Sequence, residues 1–176
     1  MGLPANIFND LTEATVEGWV KWRRFDDSMR FFDFGDTDRT MVIGNAGGGG
    51  GPHLRFEFWD ASGRSLVDLY VRDLLRADEW NHIAVATGPG GVRIYRNGVL
   101  VAQQEYSGSF AAIKNGDRNY LGRNNWKETF PTIQDLDGQM DEVRVWNVRR
   151  TEEQIRENMF RDLTGREAGL VTRRSF

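Results

Sequence analysis

The sequence contains no cysteine, which removes a disulfide framework and every thiolate metal site. The compartment stays open, because many secreted bacterial domains also lack cysteine. No apolar stretch approaches the roughly 20 residues needed to cross a bilayer as a helix. Positive charge is not in excess: the formal net charge is −3, which argues against a general nucleic-acid binder. Arg149-Arg150 and Arg173-Arg174 are too small for a nucleic-acid patch. There are two histidines, His53 and His82, and no nucleophile elbow, so Ser-His-Asp chemistry has little to stand on. Met1-Gly2 leads into neither a basic region nor an apolar stretch, so no signal peptide is expected.

What is present is enough for one core. The 176 residues are one domain's worth of chain, so a single unit over 1–176 is expected. Six tryptophans, eleven phenylalanines and a 39% hydrophobic content supply the interior. Most of the chain alternates with period two. In Thr15–Trp22, Val16, Gly18, Val20 and Trp22 share one face, while Thr15, Glu17, Trp19 and Lys21 share the other. Leu54–Trp59, Val67–Val71, His82–Thr87, Val92–Arg96, Val99–Gln103 and Met140–Trp146 repeat the pattern. Turn signals separate them at Ala61-Ser62-Gly63, Gly88-Pro89-Gly90-Gly91, Asn97-Gly98 and Asn115-Gly116-Asp117. Asn97-Gly98 is the sharpest, because a two-residue type I′ turn needs positive φ at both centres. It predicts a hairpin of Val92–Arg96 with Val99–Gln104. Many short strands spaced by turns read as an all-β, two-sheet antiparallel sandwich.

One segment breaks the period. Thr151-Glu152-Glu153-Gln154 spells a capping box, and Ile155, Met159 and Leu163 follow at helical spacing. A short C-terminal helix over 151–163 is expected, with Gly165 as its stop and 171–176 as a tail. The Gly47–Gly51 run lacks the Lys-Ser/Thr of a phosphate loop and reads as a strand connection.

Four segments carry a resemblance. They are Thr15–Trp22, Glu79–Ala86, Val92–Gly98 and Gly138–Asn147. Tyr120-Leu121-Gly122-Arg123 and Thr151–Ile155 fall in the matching order. Together they resemble the LamG-like modules of the concanavalin A-like lectin/glucanase group, related to pentraxins and laminin G domains. The resemblance implies a jelly-roll β-sandwich, normally part of a larger extracellular or cell-surface protein. Such modules usually carry strands before the Thr15–Trp22 equivalent and a buried strand after the helix. Here both ends are short, so an incomplete sheet edge is expected, open to a second copy or a neighbouring domain.

Candidate sites follow. Glucanases of this group use Glu-x-Asp-x-x-Glu on one strand, and no such string occurs. Asp141 and Glu142 are adjacent, so on a strand they face opposite ways. No catalytic residue is therefore assigned; a glycoside hydrolase is the disfavoured alternative, and an architectural or oligomerisation domain the third. Calcium is the candidate cofactor, since it wants several converging oxygens. The resemblance suggests Asp141, and Asp33, Asp36 and Asp38 form a second cluster. The competing reading makes Asp36 and Asp38 turn residues and Asp141 a local hydrogen-bond acceptor. For a glycan or protein ligand, the polar loop Arg123-Asn124-Asn125-Trp126 is the candidate, with Trp126 either platform or loop anchor. Phe130 lies in the same loop. Trp19 and Trp59 fall on the polar-leaning faces of their strands, while Trp80 and Trp146 read as structural. Glu17/Lys21 and Glu142/Arg144 read as same-face ion pairs at the surface. No nucleic-acid partner and no membrane insertion are expected.

Overall fold

The computed structural model describes residues 1–45, 50–114 and 117–176. Gly47–Gly49 of the glycine run and the Asn115-Gly116 turn signal lie outside the described residues. The strands are β1 (Ala14–Trp22), β2 (Arg30–Gly35), β3 (Thr40–Asn45), β4 (Leu54–Trp59), β5 (Ser65–Val71) and β6 (Asn81–Thr87). They continue with β7 (Val92–Arg96), β8 (Val99–Gln104), β9 (Asn119–Leu121), β10 (Gly138–Trp146) and β11 (Leu170–Arg174). One α-helix, α1 (Glu152–Asn158), lies between β10 and β11. The strands form a six-stranded sheet, β11-β10-β1-β6-β7-β8, and a five-stranded sheet, β5-β4-β3-β2-β9. All pairings are antiparallel. This is the two-sheet jelly-roll sandwich with one short helix that the sequence predicts.

The core lies between the sheets. Val16, Val20 and Trp22 of β1 are fully buried there, facing Phe32 and Phe34 of β2 and Phe56 and Phe58 of β4. Phe32 and Phe34 stack at 4.4 Å, and Phe8 closes on Phe34 at 4.6 Å. Gly18 continues the inward row because nothing larger fits: a Cβ there would stand 3.0 Å from Phe31 Cζ and from Val143 Cα. The Asn97-Gly98 turn has φ of 51° and 73°, the positive pair a type I′ turn requires.

Four strands escape the period-two reading, each for a local reason. In β2 a register shift between Arg30 and Phe32 buries two consecutive phenylalanines, Phe31 and Phe32. Every residue of β3 is buried, so it shows no alternation. β9 is three residues long. β11 occupies the place expected to be a tail over 171–176, pairing with β10 from Leu170 to Arg174 while staying largely exposed.

The two terminal segments serve different sheets. Leu3 N–H donates to Asn119 O at 2.8 Å and Leu121 N–H to Met1 O at 2.8 Å, so the first residues cover the β9 edge. β11 instead ends the six-stranded sheet. Met1 and Phe176 nevertheless line one shallow depression, with Trp80 and Asp141. On the opposite flank Gln104 of β8 joins the sheets, donating to Leu66 O at 3.0 Å and accepting from Asp68 N–H at 3.3 Å.

The outward face of β1 is where the surface expectation fails. Thr15 and Glu17 are as buried as the core, because the segment after β10 folds over them. Glu17 pairs with Arg150 at 3.0 Å, not with Lys21, and accepts from Trp146 Nε1 at 2.9 Å. Arg144 does meet Glu142, at 3.0 Å, but its guanidinium is buried and donates to the carbonyls of Asn158 and Arg161 at 2.8 and 2.6 Å. Trp19 Nε1 takes Met159 O at 2.9 Å. These carbonyls lie at and beyond the end of the helix, which stops at Asn158 instead of reaching residue 163, and they accept donors from the sheet. The Thr151–Gln154 capping box is present in both directions. Ile155, Met159 and Leu163 are all buried, the last two beyond the helix, and Gly165 falls in a later bend.

Burial and the two nearby arginines hold His82 neutral, with its pKa lowered from 6.5 to about 3. Between those values the unfolded chain binds the extra proton. The stability from a neutral His82 is therefore present above pH 6.5 and is lost as pH falls toward 3. In denaturant titrations between pH 6 and 4, His82→Gln should flatten the fall by up to about 1.4 kcal/mol per pH unit. Parallel curves for the two proteins would contradict this.

Candidate functional site

The outer face of the five-stranded sheet is built by alternation. Register places Asp33 of β2 beside Val42 of β3, and Val42 beside Glu57 of β4; Thr40 stands beside Trp59. All five point away from the core. A loop after β9, with a 3-10 turn at Asn125–Glu128, lies over this face. Asp33 holds it there. Its Oδ2 accepts the Asn125 backbone N–H at 2.9 Å, and its Oδ1 accepts Asn125 Nδ2 at 3.0 Å and Thr40 Oγ1 at 2.6 Å. Burial pushes the Asp33 carboxyl above the usual range, against the opposing pull of Arg30, Thr40 and Asn125. Asn124 caps the 3-10 turn by accepting Trp126 N–H at 2.8 Å.

Between loop and sheet lies a hollow of about 440 Å³, within the size range of small-molecule sites. Trp59 and Trp126 form apolar walls, and Phe130 stacks on Trp126 at 5.9 Å. Polar groups enter from Arg30, Asp38, Thr40, Glu57 and Asn124. The Arg30 side chain is only 11% exposed, yet its Nε and Nη1 have no hydrogen-bond partner among the described residues. Its nearest anion is Glu57, at 4.0 Å from Nη1. Glu57 is itself held by Arg55 at 3.2 Å, and Arg55 grips Asp68 with two bonds of 2.8 and 2.7 Å.

The expected ligand residues divide in two. Trp126 and Asn124 line the hollow. Asn125 does not: it is buried and anchors the loop on Asp33. Arg123 turns away, its guanidinium 4.9 Å over the Tyr120 ring and 3.5 Å from Glu128. Trp59 joins the hollow, as its outward position on β4 allows. The sequence reading does not single out Arg30 and Glu57; the outward place of Glu57 in the alternating Leu54–Trp59 row was the available signal, and Arg30 stands two strands away, across β3. Trp80, read as structural, is 41% exposed just before β6, with Lys21 Nζ 5.2 Å over its ring.

The four candidate calcium ligands are not brought together. Asp33 faces out from the five-stranded sheet and is saturated by Thr40 and Asn125, whereas Asp141 lies on the six-stranded sheet. Asp36 accepts the N–H groups of Asp38 and Arg39, the turn role weighed against calcium. Asp141 accepts from Glu142 N–H, Ser175 Oγ and Phe176 N–H. Among the described residues, no group of three or more His, Cys, Asp or Glu side chains is placed to hold a metal ion. No helix among them is long and apolar enough to cross a membrane.

A family model for the Concanavalin A-like lectin/glucanases superfamily matches residues 2–156. The chain belongs to this superfamily. Solved structures share its fold at identities too low to carry function. A candidate carbohydrate binding protein from Bacteroides ovatus ATCC 8483 superposes with a TM-score of 0.71 at 23% identity. That alignment covers 94% of this superfamily member and 45% of the Bacteroides chain, so the present chain spans less than half of it. Domain 4 of AbnA, a GH43 extracellular arabinanase from Geobacillus stearothermophilus, in complex with arabinotriose, gives 0.64 at 19% identity, covering 90% and 71%. The CBM40 of a Ruminococcus gnavus IT-sialidase, bound to α2,3 sialyllactose, gives 0.69 at 14%, covering 90% and 95%. Comparison with curated proteins returned no match.

Asp33 predicts the loop's attachment. Asp33→Ala strands buried donors on Asn125 and Thr40, each costing about 1–3 kcal/mol. The variant should lose about 3 kcal/mol in denaturant unfolding, and the Asn125 amide should exchange faster with solvent. Unchanged stability with unchanged exchange would mean the loop is held by something else.

Proposed function

We propose that the chain is a non-catalytic glycan-binding module that takes its ligand in the hollow between Trp59 and Trp126. The observation that carries this reading is the pairing of those two ring walls with the Arg30 guanidinium, whose Nε and Nη1 make no hydrogen bond among the described residues and whose nearest anion is 4.0 Å away. Sugar rings present apolar C–H faces and equatorial hydroxyls. A tryptophan face suits the first, and a charged donor beside a carboxylate suits the second. The arabinotriose and sialyllactose complexes of fold neighbours are consistent with such a role.

The absence of the Glu-x-Asp-x-x-Glu string supports a binding role over hydrolysis. So does the engagement of the nearby acids: Glu57 is tied to Arg55, and Asp33 to Asn125. Because Asp33, Asp36 and Asp141, three of the four candidate calcium ligands, already accept protein donors, ligand binding on this reading is calcium-independent. An extracellular setting within a larger protein goes with this reading, as for the arabinanase.

Titration calorimetry of the best binder from a glycan array tests the site. Trp126→Ala and Trp59→Ala should each weaken binding roughly tenfold or more, with the folded state checked by thermal melts. Retained affinity in both variants would overturn the assignment. Affinity and melting midpoint should be unaffected by EDTA and by millimolar calcium. A calcium-dependent rise in either would restore the metal.

A further inference from the structure

The hollow also has a charge signature. Its lining carries one cation, Arg30, and two carboxylates, Asp38 and Glu57. Behind it stands the buried carboxyl of Asp33, which also interacts with Arg30. Arg30 is thus surrounded by acids before any ligand arrives. The next cation on this face, Arg55, bonds Asp68 with both arms of its guanidinium and also contacts Glu57.

An acidic sugar brings a carboxylate that only accepts hydrogen bonds. It could meet the Arg30 guanidinium, but it would stand beside Glu57 and within the same hollow as Asp38. Like charges in a partly desolvated site repel strongly. A neutral sugar brings hydroxyls, each a donor and an acceptor at once. Such hydroxyls can accept from the Arg30 guanidinium where it lines the hollow and donate to Glu57 or Asp38. The donor and acceptor pattern of the lining is therefore matched by hydroxyl pairs and mismatched by an anion. We infer that the hollow selects neutral glycans and rejects sugars bearing a carboxylate. This rests on the hollow being the glycan site.

The test screens the full chain on an array of neutral and acidic glycans, then titrates the best binder of each class. The expected result is a neutral best binder, ahead of any acidic glycan by about tenfold or more. Its affinity should change less than about twofold between low and high salt. Glu57→Gln and Asp38→Asn should each narrow the gap several-fold by admitting the acidic class. Asp38 lies on an exposed loop, so its variant keeps the readout if Glu57→Gln does not fold. An acidic best binder that is lost in Trp126→Ala would overturn the selectivity and leave the site standing. Binding of no glycan, or binding indifferent to both tryptophan variants, would overturn the site and the selectivity with it.

Discussion

A carboxylate buried on the outward face of a sheet must be given donors, as Glu17 shows on one sheet and Asp33 on the other. Glu17 receives Arg150 and the Trp146 indole; Asp33 receives Thr40 and Asn125. In both cases some donors come from a distant segment, and those bonds fix the segment over the sheet. Removing one partner of such a group leaves a polar atom stranded away from water, a far larger loss than the bond itself contributes. The two faces diverge in what this accomplishes. Arginines complete the cover over Glu17 and close that face. The neutral donors around Asp33 lift a loop edge and leave a hollow beneath it.

The framework was largely legible because alternation and turn chemistry are local. Val16, Val20 and Trp22 declare an inward row, and Asn97-Gly98 declares its hairpin, without reference to anything distant. Alternation cannot say what covers the other row. Thr15 and Glu17 look like solvent residues until the segment beyond Trp146 is placed on them. The same limit misread Asn125, whose polar side chain suggests a ligand contact but which satisfies Asp33 from 92 residues away in sequence. It misread Trp80 in the other direction, since a tryptophan beside a strand is more often interior. Helix length failed for a related reason: capping and periodicity speak for where α1 begins, whereas the carbonyls at and beyond its end meet Arg144 and Trp19, which are distant in sequence.

The superfamily supplies a scaffold on which ligand chemistry is decided by what decorates the sheets. In this member the decoration is modest: two tryptophans, a cap asparagine, and an arginine among acids. Trp59 and Arg30 stand on strands, so their positions are fixed by sheet register. Trp126 and Asn124 stand on a loop whose placement depends on Asp33. One wall of the hollow is set by sheet register and the other is held by two hydrogen bonds to a single carboxylate. A ligand that presses on Trp126 therefore works against that attachment, whereas one seated on Trp59 does not.

The first and last residues line the same depression although they belong to different sheets. That depression is therefore floored by both layers of the sandwich, and a side chain changed on either sheet would reshape it.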